Sequence, residues 1–566
     1  MCGILGGNNQ SWNYIKGINS MKHRGPDGTK VVKLEDFCLA FTRLAVIDLS
    51  ENGMQPMFSK DNQVAIVYNG EIYGYQKLRQ QLEKKGHQFS STSDTEVILN
   101  AYLEYGEKFV TKIDGMFAIA IYDKREGRSG TVRLYRDRLG IKPLYYYYDG
   151  RNFGFSSELK GIVNMCSDIS LQIDNTAVYD YLNYIYIPEP KTMYQNTYKL
   201  QPAHRLVFDL YSQKVVKNGA YWKLEINGTR GAQRKQEDLI CEVRELVKQS
   251  VKEQMAADVP VGVFLSGGVD SSIITYESNQ INPQIESFSI GFNEASYNEL
   301  DFARKLADRY QIRWNEKIFN RDIFHENFDN LKRWYDEPFA DTSAFPTYLV
   351  SRAARDKVVV VLTGDGSDEV FGGYARYDIL EEKEQKGGYD NALISDLYCR
   401  FRKNGKYDWK FVDGLNLYDR YMAPALSESD SILRERLGIP KDYDKLWYFR
   451  KYYRKDLPAV TRMQYLDLKT YLPSDILTKV DRTSMAVSLE SRVPFLDRRI
   501  VEFAFSLSQE DRCPAGEAKG LLKKAYEPVI NKEILYRTKQ GFAMPTAYFR
   551  RRMSVQEELL ERLWNI

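Results

Sequence analysis

A glycine-containing turn joins an apolar segment to a helical one at residues 261 to 272, which read VGVFLSGGVDSS. Glycines let the backbone turn tightly at Gly267 and Gly268, so that successive N–H groups face one point, and the helix N-terminus adds a partial positive charge. The hydroxyls of Ser266, Ser271 and Ser272 supply further donors. The loop matches neither the GxxxxGK pattern nor GxGxxG. The sequence therefore predicts a phosphate-binding loop of another type.

Apolar segments alternate with helical patterns after about residue 238. The apolar segments span residues 259–265, 287–292 and 357–362, and helical stretches begin at 271, around 299 and at 369. This alternation is typical of a parallel sheet covered by helices. From about residue 391 to the end the pattern is mostly helical, and we assign that stretch to the same domain.

An acidic string, TGDGSDEVFGGY at residues 363–374, follows the third apolar segment. In an open parallel sheet, ligands bind outside the carboxyl ends of the strands, so we expect Asp270 and Asp368 to reach the same crevice. Carboxylates among phosphate donors are typical ligands of Mg²⁺. The two acids are therefore predicted to hold Mg²⁺ on the phosphates of a bound nucleotide.

The first 200 or so residues have a different pattern, with short alternating segments separated by turns. Residues 63–68 form one such segment, which is predicted to end at the pair Asn69-Gly70, and residues 117–122 form another. This pattern favours stacked antiparallel sheets. Helices are predicted at 75–85 and at 95–104, the second opening on Ser93 and Asp94 as candidate caps. A polar stretch at 224–238 is the predicted interdomain linker.

Cys2 becomes the first residue of the chain once Met1 is removed. The α-amino group of a terminal cysteine titrates near ~8, close to the thiol at ~8.5, so it can take the thiol proton through a water molecule. The chain has only four histidines, and none has a recognisable Cys/His spacing. The sequence therefore predicts a nucleophile that works without an imidazole.

Composition excludes several classes of function. The 566 residues include 80 basic and 77 acidic side chains, so neither nucleic acid nor an anionic membrane is the expected main partner. Six cysteines without a CxxC pair disfavour structural zinc and disulfides and favour a reducing compartment. No apolar run approaches the roughly 20 residues of a membrane span, and no secretion signal is recognisable. We expect a cytoplasmic location.

Eight motifs occur in order along nearly the whole chain: MCGI at the N-terminus, HRGPD at 23–27, RLAVID at 43–48, NGEIY at 69–73, SDTEV at 93–97, SGGVDSS at 266–272, GDGSDEVFGGY at 364–374, and KVDRTSM with SLESRVPFLD within 479–497. This series resembles the glutamine-dependent asparagine synthetase family. The resemblance implies an N-terminal-nucleophile glutaminase domain at 2–205, folded as an αββα sandwich. It also implies a parallel-sheet α/β domain of the ATP pyrophosphatase type at 235–566, with a helical C-terminal part.

Carried over by position, the resemblance implies that Cys2 attacks the side-chain amide of glutamine. Asn69, through its side-chain amide, and Gly70, through its backbone N–H, then form the oxyanion hole. Arg43 pairs with the α-carboxylate of glutamine, for which a guanidinium fork is well suited. The α-ammonium of glutamine is received by Glu71 and Asp94.

The resemblance also implies the ATP site. Leu265 and Ile290 lie beside the adenine, Thr363 and Gly364 make further contacts, and Asp270 and Asp368 hold Mg²⁺. The phosphates are bound by the loop residues Ser266, Gly267, Gly268, Ser271 and Ser272. Lys539 in RTKQGF matches a lysine that stabilises charge on the α-phosphate.

One residue departs from the family pattern. Asparagine synthetases typically have GEGSDE after the third strand, whereas this chain has GDGSDE, with Asp365 in place of Glu. Aspartate is shorter than glutamate by one methylene. A carboxylate set back by about that length from the reacting atoms can cost orders of magnitude in rate. Relatives with GDG often amidate other carboxylates, such as uronic acids of surface polysaccharides or diaminopimelate units. Lys479, Arg482 and Arg492 are candidates to hold the acceptor carboxylate, and structural salt bridges explain them equally well.

The resemblance thus implies a glutamine-hydrolysing ligase that passes ammonia across the interdomain interface to L-aspartate, activated by MgATP as an acyl-adenylate. One alternative is the same chemistry on a uronic acid or a cell-wall precursor. A second is a nucleic-acid enzyme with the same ATP loop, and a third is a non-catalytic scaffold; the near-neutral charge and the intact candidate residues disfavour these two. We expect small-molecule substrates, no nucleic acid and no membrane span, and a homodimer is left open.

Overall fold

The computed structural model describes residues 1–125, 127–166, 169–226, 234–294, 297–377, 381, 429–538, 544–545, 548–549 and 554–564. Its strands are β1 Gly3–Gly7, β2 Gly28–Lys33, β3 Cys38–Arg43, β4 Met57–Phe58, β5 Val64–Ile72, β6 Gly115–Asp123, β7 Thr131–Arg136, β8 Tyr145–Tyr148, β9 Phe153–Ser156, β10 Thr197–Lys199, β11 His204–Asp209, β12 Lys214–Ala220, β13 Val261–Phe264, β14 Glu286–Phe292, β15 Arg313–Phe319, β16 Val360–Leu362 and β17 Glu490–Arg492.

The α-helices span Tyr14–Asn19, Tyr75–Lys84, Asp94–Tyr105, Leu159–Met165, Asn175–Tyr184, Gln236–Gln254, Val269–Ile281, Leu300–Tyr310, Arg321–Asn327, Asn330–Tyr335, Ala344–Arg355, Ser367–Phe371, Asp430–Leu437, Trp447–Arg450, Ala459–Lys469, Leu477–Met485, Arg498–Ser506, Gln509–Arg512, Gly520–Tyr526, Lys532–Leu535 and Val555–Leu559. Short 3₁₀ turns lie at Lys22–Arg24, Glu51–Gly53, Gly106–Thr111, Pro494–Leu496 and Pro514–Gly516, and π-helical turns at Leu472–Ile476 and Leu560–Trp564. Within the described ranges, no helix is both long enough and apolar enough to cross a membrane.

Two antiparallel sheets of six strands form the N-terminal half, in the orders β10-β8-β9-β1-β3-β2 and β12-β11-β7-β6-β5-β4. Successive side chains of a strand point to opposite faces. Ile4 of β1 and Ala65 of β5 therefore enter the core between the sheets, whereas Leu5 and Ile66 face the outer layers. Helices cover both outer faces, which confirms the predicted αββα sandwich.

A third sheet, of five parallel strands in the order β15-β14-β13-β16-β17, forms the second half. The predicted strands at 259–265, 287–292 and 357–362 correspond to β13, β14 and β16, and the helix Val269–Ile281 follows β13 directly. The parallel α/β domain and the largely helical C-terminal part are confirmed. From residue 378 to 428, only Glu381 lies within the described residues.

Strand β5 corrects the prediction that Asn69-Gly70 ends a strand as a turn. The strand continues through both residues to Ile72, and they pair with Ala118 and Phe117 of β6. A Cβ at Gly70 would lie 2.1 Å from the Met116 carbonyl oxygen, so only glycine fits there. The Asn-Gly pair therefore marks a close approach of two backbones and not a hairpin turn.

The first sandwich extends beyond the predicted domain boundary at residue 205. That boundary falls inside β11, and the sheet continues to Ala220 at the end of β12. Of the predicted linker at 224–238, residues 227–233 lie outside the described residues, and a helix begins at Gln236.

Candidate active site

A cavity of about 40 Å³ opens beside Cys2 in the N-terminal half. Its wall includes Arg43, Gly70, Glu71 and Asp94, which come from the ends of β3 and β5 and from the start of the helix Asp94–Tyr105. Ser93 caps that helix by accepting a hydrogen bond from the Thr95 N–H, as its sequence position indicates. The structure thus brings the predicted glutaminase residues together, although they lie up to 92 positions apart in the chain.

Cys2 is held at both its backbone and its side chain. Its N–H donates to Asn69 Oδ1 at 2.9 Å, and its thiol lies 3.7 Å from the Leu44 carbonyl oxygen. Burial raises the pKa of the Cys2 thiol, while the nearby Met1 ammonium opposes this rise. A thiol in such a site needs a base to become the thiolate that attacks carbonyl carbon.

Asn69 has one free donor next to the nucleophile. Its Oδ1 accepts from Cys2, whereas its buried Nδ2 has no hydrogen-bond partner in the described part of the chain. An unsatisfied buried N–H costs free energy unless a ligand supplies an acceptor. This amide is therefore available to an oxyanion that develops beside Cys2.

Arg43 is a buried cation that no described acid neutralises. Its guanidinium donates to the backbone carbonyls of Ser50, at 2.6 Å, and of Asp48. These contacts orient the guanidinium without cancelling its charge, and 6% of the side chain remains exposed. The geometry suits a carboxylate ligand.

Glu71 and Asp94 add two acids to the wall of the same cavity. Burial raises the pKa of Asp94 to about 6, although the Tyr68 hydroxyl at 2.9 Å and the Ile72 N–H at 3.1 Å oppose the rise. Burial and the neighbouring Asp94 carboxylate raise the pKa of Glu71 as well. A cation that binds between two such acids stabilises their ionised forms. One unpaired guanidinium and two acids match an amino-acid zwitterion.

Glu490, which sequence reasoning missed, reaches the same cavity from β17 of the parallel sheet. Its Oε2 lies 2.7 Å from the buried Met1 ammonium. Although burial opposes it, the Met1 ammonium and Arg492 lower the pKa of Glu490 to about 2. Glu490 lies in the motif SLESRVPFLD, so the sequence did contain an indication of its importance.

Arg492, two residues on, crosses between the two halves of the chain. Its fully buried guanidinium donates to Glu490 at 2.7 Å and to Glu71 at 3.2 Å. Two backbone carbonyls, those of Gln254 and Ala256, accept further bonds at 2.7 Å. The contacts occupy this side chain, so it is not available to an acceptor carboxylate.

Arg24 of the HRGPD motif makes a second buried link between the halves. Its Nη1 lies 2.8 Å from both Glu158 and Asp481, and its Nε donates to the Cys2 carbonyl at 3.1 Å. Arg482 is also fully buried, within 2.9 Å of Glu158 and 3.4 Å of Asp336. Arg482 therefore has a structural role at this junction.

The serine-glycine loop after β13 is shaped by its own side chains. The Ser266 N–H donates to Ser271 Oγ at 3.1 Å, and the two hydroxyl oxygens are 3.0 Å apart. Gly267 has a φ of +75°, and a Cβ there would lie 2.7 Å from the Ala303 nitrogen. The buried Ser272 hydroxyl has no partner among the described residues.

Asp270 and Asp368 meet at one cation, as their positions after two adjacent strands predict. Lys519 Nζ lies 2.6 Å from Asp270 Oδ2 and 2.8 Å from Asp368 Oδ1. Asp270 Oδ1 is buried and has no hydrogen-bond partner within the described ranges. Two convergent carboxylates with a spare oxygen fit a divalent cation that prefers oxygen ligands. Sequence reasoning missed Lys519, which lies 249 residues from Asp270.

The other predicted nucleotide contacts lie around this loop. Leu265 is fully buried beside β14, where its N–H donates to the Phe288 carbonyl at 2.9 Å, and Ile290 lies on β14. Gly364 packs against the phosphate loop, since a Cβ there would lie 2.8 Å from Asp270 Cβ. The Thr363 N–H donates to the Arg492 carbonyl at 2.9 Å. Lys539, the predicted α-phosphate lysine, lies outside the described residues.

Asp365 and Lys479 lie next to the two acids at Lys519. Burial raises the pKa of Asp365, with Lys479 opposing and the carboxylates of Asp270 and Asp368 adding to the rise. Lys479 Nζ pairs with Asp341 at 2.9 Å. Of the three basic residues considered for the acceptor, Lys479 alone borders this crevice among the described contacts.

Comparison with known proteins gives matches over almost the whole chain. The family model described as asparagine synthase matches residues 242–564, and the one described as glutamine amidotransferase domain matches residues 1–222. Asparagine synthetase (glutamine-hydrolyzing) 1 of Bacillus subtilis is 33% identical over 97% of this chain and 88% of its own length. A protein of Methanocaldococcus jannaschii, provisionally named asparagine synthetase (glutamine-hydrolyzing) 2, is 40% identical over 88% of this chain and 100% of its own length. Amidase chry2 of Gibberella zeae is 26% identical over 94% of this chain and 85% of its own length.

The αββα sandwich with its cysteine pocket, the parallel-sheet domain with its phosphate loop and these matches together define a carbon–nitrogen ligase that depends on glutamine. ATP is a substrate in this class of ligase. The chain belongs to the glutamine-dependent asparagine synthetase family.

Proposed function

We propose that this protein makes asparagine from L-aspartate, with glutamine as the nitrogen donor. Ammonia released at Cys2 crosses to the second domain and attacks an aspartyl-adenylate, and the products are asparagine, glutamate, AMP and pyrophosphate. The observation that carries this proposal is the pair of sites in one chain: a cysteine cavity with the charges of an amino-acid zwitterion, and a phosphate loop whose two acids meet at one cation.

In the glutaminase site, we assign the nucleophile to Cys2 and the oxyanion hole to Asn69 and Gly70. Arg43 holds the α-carboxylate of glutamine, and Glu71 with Asp94 holds its α-ammonium. Removal of Met1 converts the Cys2 backbone nitrogen from an amide into an amine, which then serves as the base. The free Nδ2 of Asn69 and the unneutralised charge of Arg43 support these assignments.

In the synthetase site, we assign the phosphates of ATP to the loop that contains Ser266 and Ser271, and Mg²⁺ to Asp270 and Asp368. When bound there, Mg²⁺ neutralises charge on the departing pyrophosphate. Lys519 lies between the same two acids and would contact the phosphates as a second cation. Adenylation is needed because a carboxylate is a poor electrophile, and AMP is a better leaving group than oxide.

L-Aspartate is the proposed acceptor because relatives that span this chain carry the name asparagine synthetase. The second candidate is the same chemistry on another carboxylate, such as a uronic acid or a cell-wall precursor, and Asp365 in place of the usual glutamate favours it. We also propose a cytoplasmic location, which the five described free cysteines support. The homodimer stays a prediction.

The test is to incubate the full-length protein with MgATP and glutamine, with and without L-aspartate, and to measure asparagine, AMP and pyrophosphate. We expect the three products in equal amounts and only with aspartate. Glutaminase activity without aspartate-dependent pyrophosphate would overturn aspartate as the acceptor. That result would favour the second candidate, amidation of another carboxylate. The same assay with uronic acids and diaminopimelate-containing precursors then tests this candidate.

A further inference from the structure

Lys479 lies at the centre of a buried group of acids beside the phosphate loop. Its ammonium pairs with Asp341 at 2.9 Å, and 9% of the lysine side chain and 14% of the aspartate side chain remain exposed. Although burial opposes it, Asp341, Asp475 and Asp365 together raise the pKa of Lys479. One ammonium thus faces three carboxyl groups from three segments of the chain.

Asp475 is the member of this group whose carboxylate lacks hydrogen-bond partners among the described residues. It is fully buried on the π-helical turn Leu472–Ile476, and neither of its carboxylate oxygens has a hydrogen-bond partner among the described residues. Burial and the Asp341 carboxylate raise the pKa of Asp475 well above its ordinary range, while Lys479 and the neighbouring Tyr471 hydroxyl oppose the rise. π-helical turns often occur at functional sites. A buried acid whose oxygens lack hydrogen bonds of good geometry gains free energy from a ligand that brings donors.

A second unsatisfied group lies against the same acids. The buried Tyr335 hydroxyl has no hydrogen-bond partner within the described ranges. Burial, followed by the carboxylates of Asp341 and Asp475, raises the pKa of Tyr335. The ring of Tyr335 stacks on Phe339 with 4.1 Å between centroids, which fixes the direction of the hydroxyl. Donors and acceptors without partners therefore converge at one place.

The group adjoins the place where the acceptor would react. Asp365, which faces Lys479, also faces the Asp270 and Asp368 carboxylates that meet at Lys519. A carboxylate held at Lys479 would therefore lie next to the phosphate loop. Any ammonium on the same ligand would then reach the unsatisfied acid.

We infer that Asp475, with Asp341, receives the α-ammonium of the acceptor while Lys479 holds an acceptor carboxylate, so that this site selects an amino acid and rejects carboxylates without an ammonium group. The inference rests on the proposed function and adds the residues that recognise the ammonium group of the acceptor. Uronic acids and simple dicarboxylates lack the ammonium group that Asp475 and Asp341 would receive. Asp475 thus becomes a specificity-determining residue.

The test compares Asp475→Asn with the wild-type full-length protein. Pyrophosphate release is measured with MgATP, glutamine and one of three acceptors: L-aspartate, succinate, which lacks the ammonium, or D-glucuronate. We expect wild-type release with aspartate alone. The variant keeps the side-chain shape but loses the charge, so KM for aspartate should rise about 10- to 100-fold while KM for ATP and the glutaminase rate stay unchanged. Asp475→Glu keeps the charge, so its KM for aspartate should lie between those of Asp475→Asn and the wild type.

Asp456→Asn is the matched control, because Asp456 is an exposed acid of the same domain that pairs with Arg454. An unchanged KM for aspartate in Asp475→Asn, with asparagine still formed, would overturn the inference and leave the proposed function intact. Wild-type turnover of succinate or glucuronate at the rate of aspartate would also overturn it. If no acceptor yields pyrophosphate while glutamine is hydrolysed, the proposed function fails, and the inference fails with it.

Discussion

The Arg492 guanidinium lies 3.2 Å from the Glu71 carboxylate in the cavity beside Cys2, and the Arg492 backbone carbonyl accepts a hydrogen bond from Thr363 at 2.9 Å. Thr363 begins the loop that carries Asp365 and Asp368 beside the phosphate site. A single residue on β17 therefore contacts both candidate sites. The fully buried side chain donates four hydrogen bonds, and the backbone carbonyl accepts the fifth, so Arg492 links the two candidate sites physically.

Arg492→Lys is expected to uncouple the two activities. Lysine keeps the charge but cannot reproduce the guanidinium contacts, and we expect a loss of about 2 kcal/mol in the free energy of unfolding. The measurement is the ratio of glutamate formed to pyrophosphate formed when glutamine, MgATP and aspartate are all present. We expect a ratio near one in the wild type and a clearly higher ratio in the variant.

Arg498→Lys is the control for that experiment, since Arg498 also bridges the halves, to Asp114 at 3.0 Å, but is 34% exposed. Exposed ion pairs contribute little, so its ratio should stay near that of the wild type. Equal ratios in all three proteins would show that Arg492 has no part in coupling.

Cys2→Ala should abolish the use of glutamine and spare synthesis from ammonium salts. The variant removes the nucleophile of the first cavity, while the loop around Asp270 lies in the other domain. Asparagine formation is measured with glutamine and, separately, with ammonium chloride. Equal loss with both nitrogen sources would contradict the division of labour between the two domains.

The N-terminus should be processed in the active protein. With Met1 in place, the Cys2 nitrogen is an amide that donates to Asn69 and cannot act as a base. Intact mass measurement should show a chain that begins at Cys2. A variant with one extra lysine between Met1 and Cys2 should lose at least about 1,000-fold in glutaminase rate, and its ammonium-dependent activity serves as the folding control.

Glutamine binding should weaken in acid. Burial raises the pKa of Asp94 to about 6, so the carboxylate is protonated below that pH and loses its attraction for the α-ammonium. We expect KM for glutamine to rise as pH falls through about 6. In Asp94→Asn, KM should already be high at pH 8 and should lack this rise. A wild-type KM that is flat from pH 8 to 5 would remove Asp94 from the binding site.

Lys519→Met should impair the ATP half alone. Loss of the ammonium leaves Asp270 and Asp368 without their common partner, so we expect KM for ATP to rise and pyrophosphate release to fall at least about tenfold. The glutaminase rate without ATP should stay unchanged. Lys523→Met is the matched control, because Lys523 is a similarly buried lysine of the next helical turn that pairs with Glu517. Equal effects of the two variants would assign Lys519 a purely structural role.

In the parallel sheet, hydrophobic patterning was enough to predict the three central strands, but not the two edge strands. β13, β14 and β16 are apolar because both faces of a parallel sheet are covered. β15 lies at one edge and is largely exposed, and β17 at the other edge has only three residues. Glu490 and Arg492 of β17 are buried by pairing with each other and across the domain junction, which a hydrophobic pattern cannot reveal.

The site residues that motifs carry were brought together as expected, including Cys2, Asn69 and Asp94. Lys519 and Asp475 were not predicted, because their carboxylate and ammonium partners include residues that are far apart from them in the chain. No local spacing identifies such residues, because a buried charge is defined by the partners that the fold supplies. The turn predicted at Asn69-Gly70 was wrong for a related reason. The sequence of this pair is typical of a turn, but its backbone pairs with a neighbouring strand of the sheet.

Transfer of the amide nitrogen tests the central claim most directly. The protein is incubated with MgATP, L-aspartate and glutamine labelled with ¹⁵N at the side-chain amide, and asparagine is analysed by mass spectrometry. The account predicts asparagine that carries the label in its side-chain amide, formed in equal amount with AMP and pyrophosphate. Label recovered only as free ammonium, with no labelled amide on aspartate, would contradict it.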